Sequence, residues 1–207
     1  MALVKYNNNS ISAVTAASSI PSGAMTLIKT LTASASATLS FIDGTDGVVL
    51  DSTYPIYKFE FNNIHPATNN VNLQFNMSSD GGSNYNITKT TTQFRASHGE
   101  DDGGATLEYR SGEDLAQSTS FQSLIDSTGN DNDQSTSGTL TLYNPSSTVF
   151  VKHFISNMNG YRQNDQTTNV YTAGYGNTTS SIDAVRFQMS SGNIDSGTIK
   201  LYGIKDS

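Results

Sequence analysis

Val71, Leu73, Phe75 and Met77 alternate with Asn72, Gln74 and Asn76. Successive side chains of a strand point to opposite faces, so this spacing describes a strand with one buried face and does not fit a helix. The same period recurs at Tyr57, Phe59 and Phe61, and again at Val185, Phe187 and Met189. A closing run over 198–204 carries Ile199, Leu201 and Ile204. Further β-rich runs lie at 25–31, 38–42, 85–92, 105–110, 139–143 and 148–155, and 121–125 reads as a strand or a helical turn. Between them stand turn formers such as Asp43-Gly44, Asp46-Gly47, Asp80-Gly81-Gly82 and Asn144-Pro145. About ten short strands with turn signals every 8–12 residues predict an all-β fold, a two-sheet antiparallel β-sandwich of jelly-roll type. Gly192 and Gly197 fall between the last two runs, which are expected to pair as a hairpin with the final strand central in its sheet. Residues 126–138 and 171–177 read as loops.

The chain has 207 residues, which suits one domain of the larger all-β kind. Only 14% of residues are charged, and Ser, Thr, Asn and Gly abound. Disorder is excluded by 35% hydrophobic content in strand-period runs and by 10 Tyr and 9 Phe. A net charge of −7 repels phosphate backbones, and no basic run suits anionic lipid, so neither nucleic acid nor membrane is an expected partner. The absence of cysteine removes disulfides, thiolate metal sites and thiol catalysis. No stretch of 18 consecutive apolar residues is present, and the start, with one Lys and no apolar core, does not read as a secretory signal.

Residues 1–22 break the pattern. Leu3, Val4, Tyr6, Ile11, Val14 and Ile20 are spread among Asn, Ser and Ala with neither period 2 nor 3.6. Ordering each such residue costs about 1–2 kcal/mol, and little in the segment compensates. The domain reading is therefore an extended N-terminal arm at 1–22 and a β-sandwich domain at 23–207. A neighbouring subunit is the expected clamp, with Leu3, Val4, Tyr6, Ile11 and Val14 as the partner-binding residues. An added edge strand on the chain's own sheet is the alternative.

Signals for catalysis are weak, and the expectation is that the protein is not an enzyme. His65, His98 and His153 are the candidate imidazole bases. The segment His98-Gly99-Glu100-Asp101-Asp102 joins an imidazole to carboxylates, which could orient it, but a second histidine at metal-ligand spacing is missing. No G-x-S-x-G element anchors a serine hydrolase. Glu60, Glu100, Glu108 and Glu113 could supply a glycosidase pair, as could the acids of nearly any acidic protein. The pairs Asp43/Asp46, Asp101/Asp102 and Asp131/Asp133 sit in oxygen-rich loops without EF-hand spacing, so they read as solvated acidic loops, and no metal or cofactor is expected. Asn, Asp, Gly and Tyr over 165–177 have the groups that sugars use, without the Trp that stacks best.

Three segments carry a resemblance: SSGNIDSGTIKLYGIK at 190–205, the strand and turn from Leu73 to Tyr85, and the opening from Met1 to Val14. They resemble small β-sandwich structural proteins of tailed bacteriophages, many of them marine. The resemblance implies a virion component that works by contact with other virion proteins as a homo-oligomer or on a repeating lattice. A compact domain without a fibre-like repeat points to a capsid decoration or vertex protein. The alternative is a tail or fibre component that touches the host surface through glycans.

Overall fold

The computed structural model describes residues 24–205; the arm at 1–22, and with it Leu3, Val4, Tyr6, Ile11 and Val14, lies outside the described residues. Twelve strands follow one another with no helix among the described residues: β1 (Met25–Thr32), β2 (Leu39–Ile42), β3 (Ile56–Pro66), β4 (Val71–Ser78), β5 (Lys89–Gly99), β6 (Thr106–Tyr109), β7 (Gln122–Thr128), β8 (Thr136–Tyr143), β9 (Lys152–Arg162), β10 (Gln166–Gly176), β11 (Ala184–Met189) and β12 (Ile194–Ile204). All pairings are antiparallel, running β1-β12-β3-β8-β9-β10-β5-β6 on one side and β7-β4-β11-β2 on the other. A rung between Thr128 of β7 and Arg162 of β9 joins the two runs, and the sheet nearly closes into a barrel-like shape.

The alternating runs bury the faces they announce. Tyr57, Phe59 and Phe61 of β3 point inward, as do Leu73, Phe75 and Met77 of β4. Phe187 of β11 is the hub of an aromatic cluster, with ring centroids 5.2 Å from Phe59, 5.0 Å from Phe61 and 6.2 Å from Phe41, all edge-on. Edge-on pairs match the positive rim of one ring to the negative face of another and add about 0.5–1.5 kcal/mol each beyond their buried area.

Several expectations are corrected. β11 and β12 do not pair with each other: β11 lies between β4 and β2, and β12 between β1 and β3. Their apolar faces instead meet through the core, where Phe187 touches Phe59, the β3 rung partner of Leu201. Alternation reveals that a strand buries one face; it does not say whether the next strand lies beside it or opposite it. Gly192 does turn the chain, at φ 71°, but Gly197 lies inside β12, at φ 109°. A Cβ on Gly197 would stand 2.4 Å from the Asn63 carbonyl oxygen, at the irregular register where β12 passes β3. Residues 48–50 and 148–151 are loops, and the strand expected from Tyr85 begins only at Lys89. Conversely, 171–176 belong to β10, while the loop read at 126–138 shrinks because Asp126 ends up buried in β7 and Thr136 opens β8.

Candidate functional site

On β5 the two faces carry the reverse of the usual chemistry. Lys89, Thr91, Gln93, Arg95 and Ser97 point inward and are buried, while Thr92, Phe94, Ala96 and His98 are exposed. The inward residues are held by partners, chiefly on β7 and β10. Thr91 Oγ1 lies 2.6 Å from Gln122 Oε1, and Gln93 Nε2 donates to the Ser123 carbonyl at 2.8 Å and to Thr172 Oγ1 at 2.9 Å. Arg95 donates to Asp126 and to Glu108. Asp126 also accepts from Arg110 at 3.1 Å and lies 3.8 Å from Arg162, so three guanidinium groups share one buried carboxylate. Glu108 and Glu113 complete the neutralisation of Arg110. At the start of the strand the Lys89 ammonium donates to Asn76 Oδ1 at 2.6 Å and to the Ile87 carbonyl at 2.8 Å, and burial pulls its pKa down to about 7.

Because the polar set is turned in, the apolar set is turned out. The register sets Tyr109 of β6, Phe94 of β5, Tyr171 of β10 and Asn157 of β9 on one row, and Thr92, Ala173 and Ile155 on the next. Leu107, Tyr109, Phe94, Tyr171 and Ile155 are between 41% and 77% exposed, which makes this face the main apolar surface of the described residues. The Phe94 and Tyr171 rings stack with centroids 5.0 Å apart and planes 13° from parallel. Beside that stack lies an open hollow of about 460 Å³ lined by Thr92, Ala173, Ile155, His153, Tyr175 and Tyr143. The loop from β8 to β9 adds the exposed Val149 and Phe150 at its tip. Contiguous apolar surface larger than a few hundred Å² is uncommon on monomeric proteins.

The residues singled out in the sequence fall elsewhere. His98 is the penultimate residue of β5 and lies 3.4 Å from Asp102, both exposed to solvent. It lines an open cleft of about 450 Å³ with Glu100, Ser135, Ser137, Asn159 and Tyr161. There the Tyr161 hydroxyl donates to Asp165 Oδ1 at 3.4 Å, and the neighbouring Glu100 carboxylate, with some desolvation, pushes its pKa up to about 12. A phenol so held stays protonated and does not serve as a base at neutral pH. His65 is bound to the Asp131 carbonyl at 3.2 Å, and His153 stands on the outer face with its ring centroid 6.2 Å from that of Tyr175. No group of three His, Cys, Asp or Glu side chains suited to a metal occurs among the described residues. The acidic pairs shape turns: Asp43 accepts from the Leu50 amide at 2.8 Å, and Asp101 from the Gly103 amide at 2.9 Å.

Sequence reading missed the outer face. The sequence reads 171–177 as a Tyr- and Gly-rich loop, and the alternation in β5 places Phe94 inside and Arg95 outside if hydropathy alone decides. The available signal was the run of polar side chains in Gln122, Ser123 and Asp126, a strand able to receive an inward polar face. No family model, no curated protein and no solved structure matches the chain.

Proposed function

We propose that the protein is a structural component of a tailed-phage virion that works through protein–protein contact, as a capsid decoration or vertex protein. The exposed apolar face of β6-β5-β10-β9 carries this reading: it is large, nearly free of charge, and lies on paired strands. The resemblance of the 190–205 segment supplies the word virion. We read the sheet as two layers, β1-β12-β3-β8-β9-β10-β5-β6 over β7-β4-β11-β2, a sandwich of the jelly-roll kind joined at the Thr128–Arg162 rung. Such a body presents one broad face, as a subunit docked on a lattice requires.

A tail or fibre protein reading host glycans is the second reading, and the aromatic row is what favours it. The Phe94–Tyr171 stack weighs against it. Sugars bind on the open faces of aromatic rings, and these two rings turn one face each toward the other across neighbouring strands. A protein surface can use their edges as well as their faces. Counting copies of the chain per purified particle by quantitative mass spectrometry tests the assignment. Hundreds are expected for a capsid lattice; a handful would move the protein to the tail, and none would remove the virion reading.

A further inference from the structure

We infer that the outer face of β6-β5-β10-β9-β8 is where two copies of this chain pair face to face across a two-fold axis. The inference rests on the protein-contact reading above and names the partner. Three observations carry it.

The first is shape. The Phe94–Tyr171 stack stands as a ridge on one row, and the hollow begins on the adjacent row over Thr92, Ala173 and Ile155 and runs on over Tyr175 and His153. A two-fold contact must be complementary to itself. An axis lying in the interface between these two rows, parallel to them, would carry the ridge of each copy over the hollow of the other. On β10 this places the Tyr171 ring of one copy above Ala173 of its partner, a small residue between Tyr171 and Tyr175.

The second is charge. On the rows from 90 to 96, β5, β10 and β9 show Thr, Phe, Ala, Tyr, Asn and Ile outward, with His153 and the two tyrosines as their titratable groups. Two copies of a chain of net charge −7 repel each other, so they meet at least electrostatic cost where charge is absent. This face meets that condition. On the β3 and β12 side, Lys58, Glu60 and Lys200 stand on the rows instead.

The third is area. Four strands of seven residues and the four-residue β6, at about 4.8 Å spacing and about 3.3 Å rise, span a plane of roughly 500 Å². With side chains standing off that plane, the accessible area comes close to the about 800 Å² per partner of a standard stable interface.

The test uses the full chain in sedimentation equilibrium over a wide concentration range. Pairing predicts a mass of twice 22.1 kDa at high concentration. Ala173→Phe, which fills the hollow, and Tyr171→Ala, which removes the ridge, should each raise the dissociation constant about tenfold or more, the scale of one lost central anchor. Both positions face outward, and an unchanged melting temperature at low concentration shows that the fold is kept. A dimer indifferent to both substitutions overturns the inference. A monomeric full chain also overturns it, and a polarity-sensitive dye then separates the causes. Dye taken up by the full chain and lost in Tyr171→Ala means that the face is open to a different protein, so the contact reading stands without self-pairing. No uptake at the face means that the chain itself covers it, as residues 1–23 would, and the contact reading falls too.

Discussion

Around Phe187 the interior is hydrocarbon, and around Asp126 it is hydrogen-bonded charge. Both regions are buried, and both lie against long strands of the same sheet. In the first, β3 and β11 turn apolar residues inward, and the outward rows carry Lys58, Glu60 and Arg186. In the second, β5 and β7 turn polar residues toward each other, and β5 and β10 show aromatic rings to solvent. The difference is one of energetics. A hydrophobic interior stabilises a lone chain by itself, roughly 25 cal/mol for each Å² of apolar surface removed from water. A polar interior returns far less, since each of its hydrogen bonds replaces one to water and nets only about 0.5–1.5 kcal/mol. A wing built the second way leaves its apolar surface available for a second molecule.

The largest effect is expected in the aromatic region. Phe187→Ala removes the hub of five rings and should cost about 3–5 kcal/mol in chemical denaturation, the range for a large cavity in a packed core. A loss below 1 kcal/mol would mean that the ring cluster is not what holds the two runs of strands together. In the polar wing, Asp126→Asn keeps the shape and removes the charge that three arginines share. A loss of about 1.5–3 kcal/mol is expected, the worth of hydrogen bonds to a charged group. Stability equal to the parent would show that Arg95, Arg110 and Arg162 are satisfied elsewhere.

Lys89 sharpens the contrast through pH. Its folded pKa is lowered by burial to about 7, against an ordinary 10.5 in the unfolded chain. Between those values the unfolded chain binds more protons, so this group's contribution to stability rises with pH from about 7 upward and is lost as pH falls toward 7. Between pH 7 and 10 Lys152, also lowered by desolvation, adds a slope of the same sign, while Tyr57, raised by burial, acts with the opposite sign only above its ordinary value of 10.0. Urea titrations across that window should show a rising slope that flattens in Lys89→Met. The smallest stability effect belongs to the outer face. Ile155→Ser, measured at low concentration, should change the stability of the separate chain by less than about 0.5 kcal/mol, because the side chain is half exposed and outside the core.

How much of this was legible in the sequence follows the same division. The aromatic region could be read residue by residue, because Tyr57, Phe59, Phe61, Leu73, Phe75 and Phe187 obey the rule that the apolar face is the buried one. Strand partners could not be read, and β11 and β12 mislead because alternation carries no information on lateral neighbours. The polar wing resisted for a physical reason. Whether Arg95 is inside depends on Asp126, 31 residues further on, and on Arg110, Glu108 and Arg162, so no local window holds the answer. β10 was hidden in a similar way: its Gly174 and Gly176 resemble a loop, yet a Cβ on Gly174 would stand 2.5 Å from the Thr90 carbonyl oxygen, so glycine is what lets the strand lie this close to β5. The arm residues Leu3, Val4, Tyr6, Ile11 and Val14 stand where the sequence left them, as partner-binding candidates outside the described residues.

The inversion of the β5–β10 wing is most directly tested by hydroxyl-radical footprinting of the full chain at several concentrations. An inverted wing predicts that Phe94 and Tyr171 are oxidised readily in dilute solution and become protected as concentration rises, while Phe59 and Phe187 stay protected throughout. Protection of Phe94 and Tyr171 at every dilution would contradict it, because the rings would then be buried within a single chain.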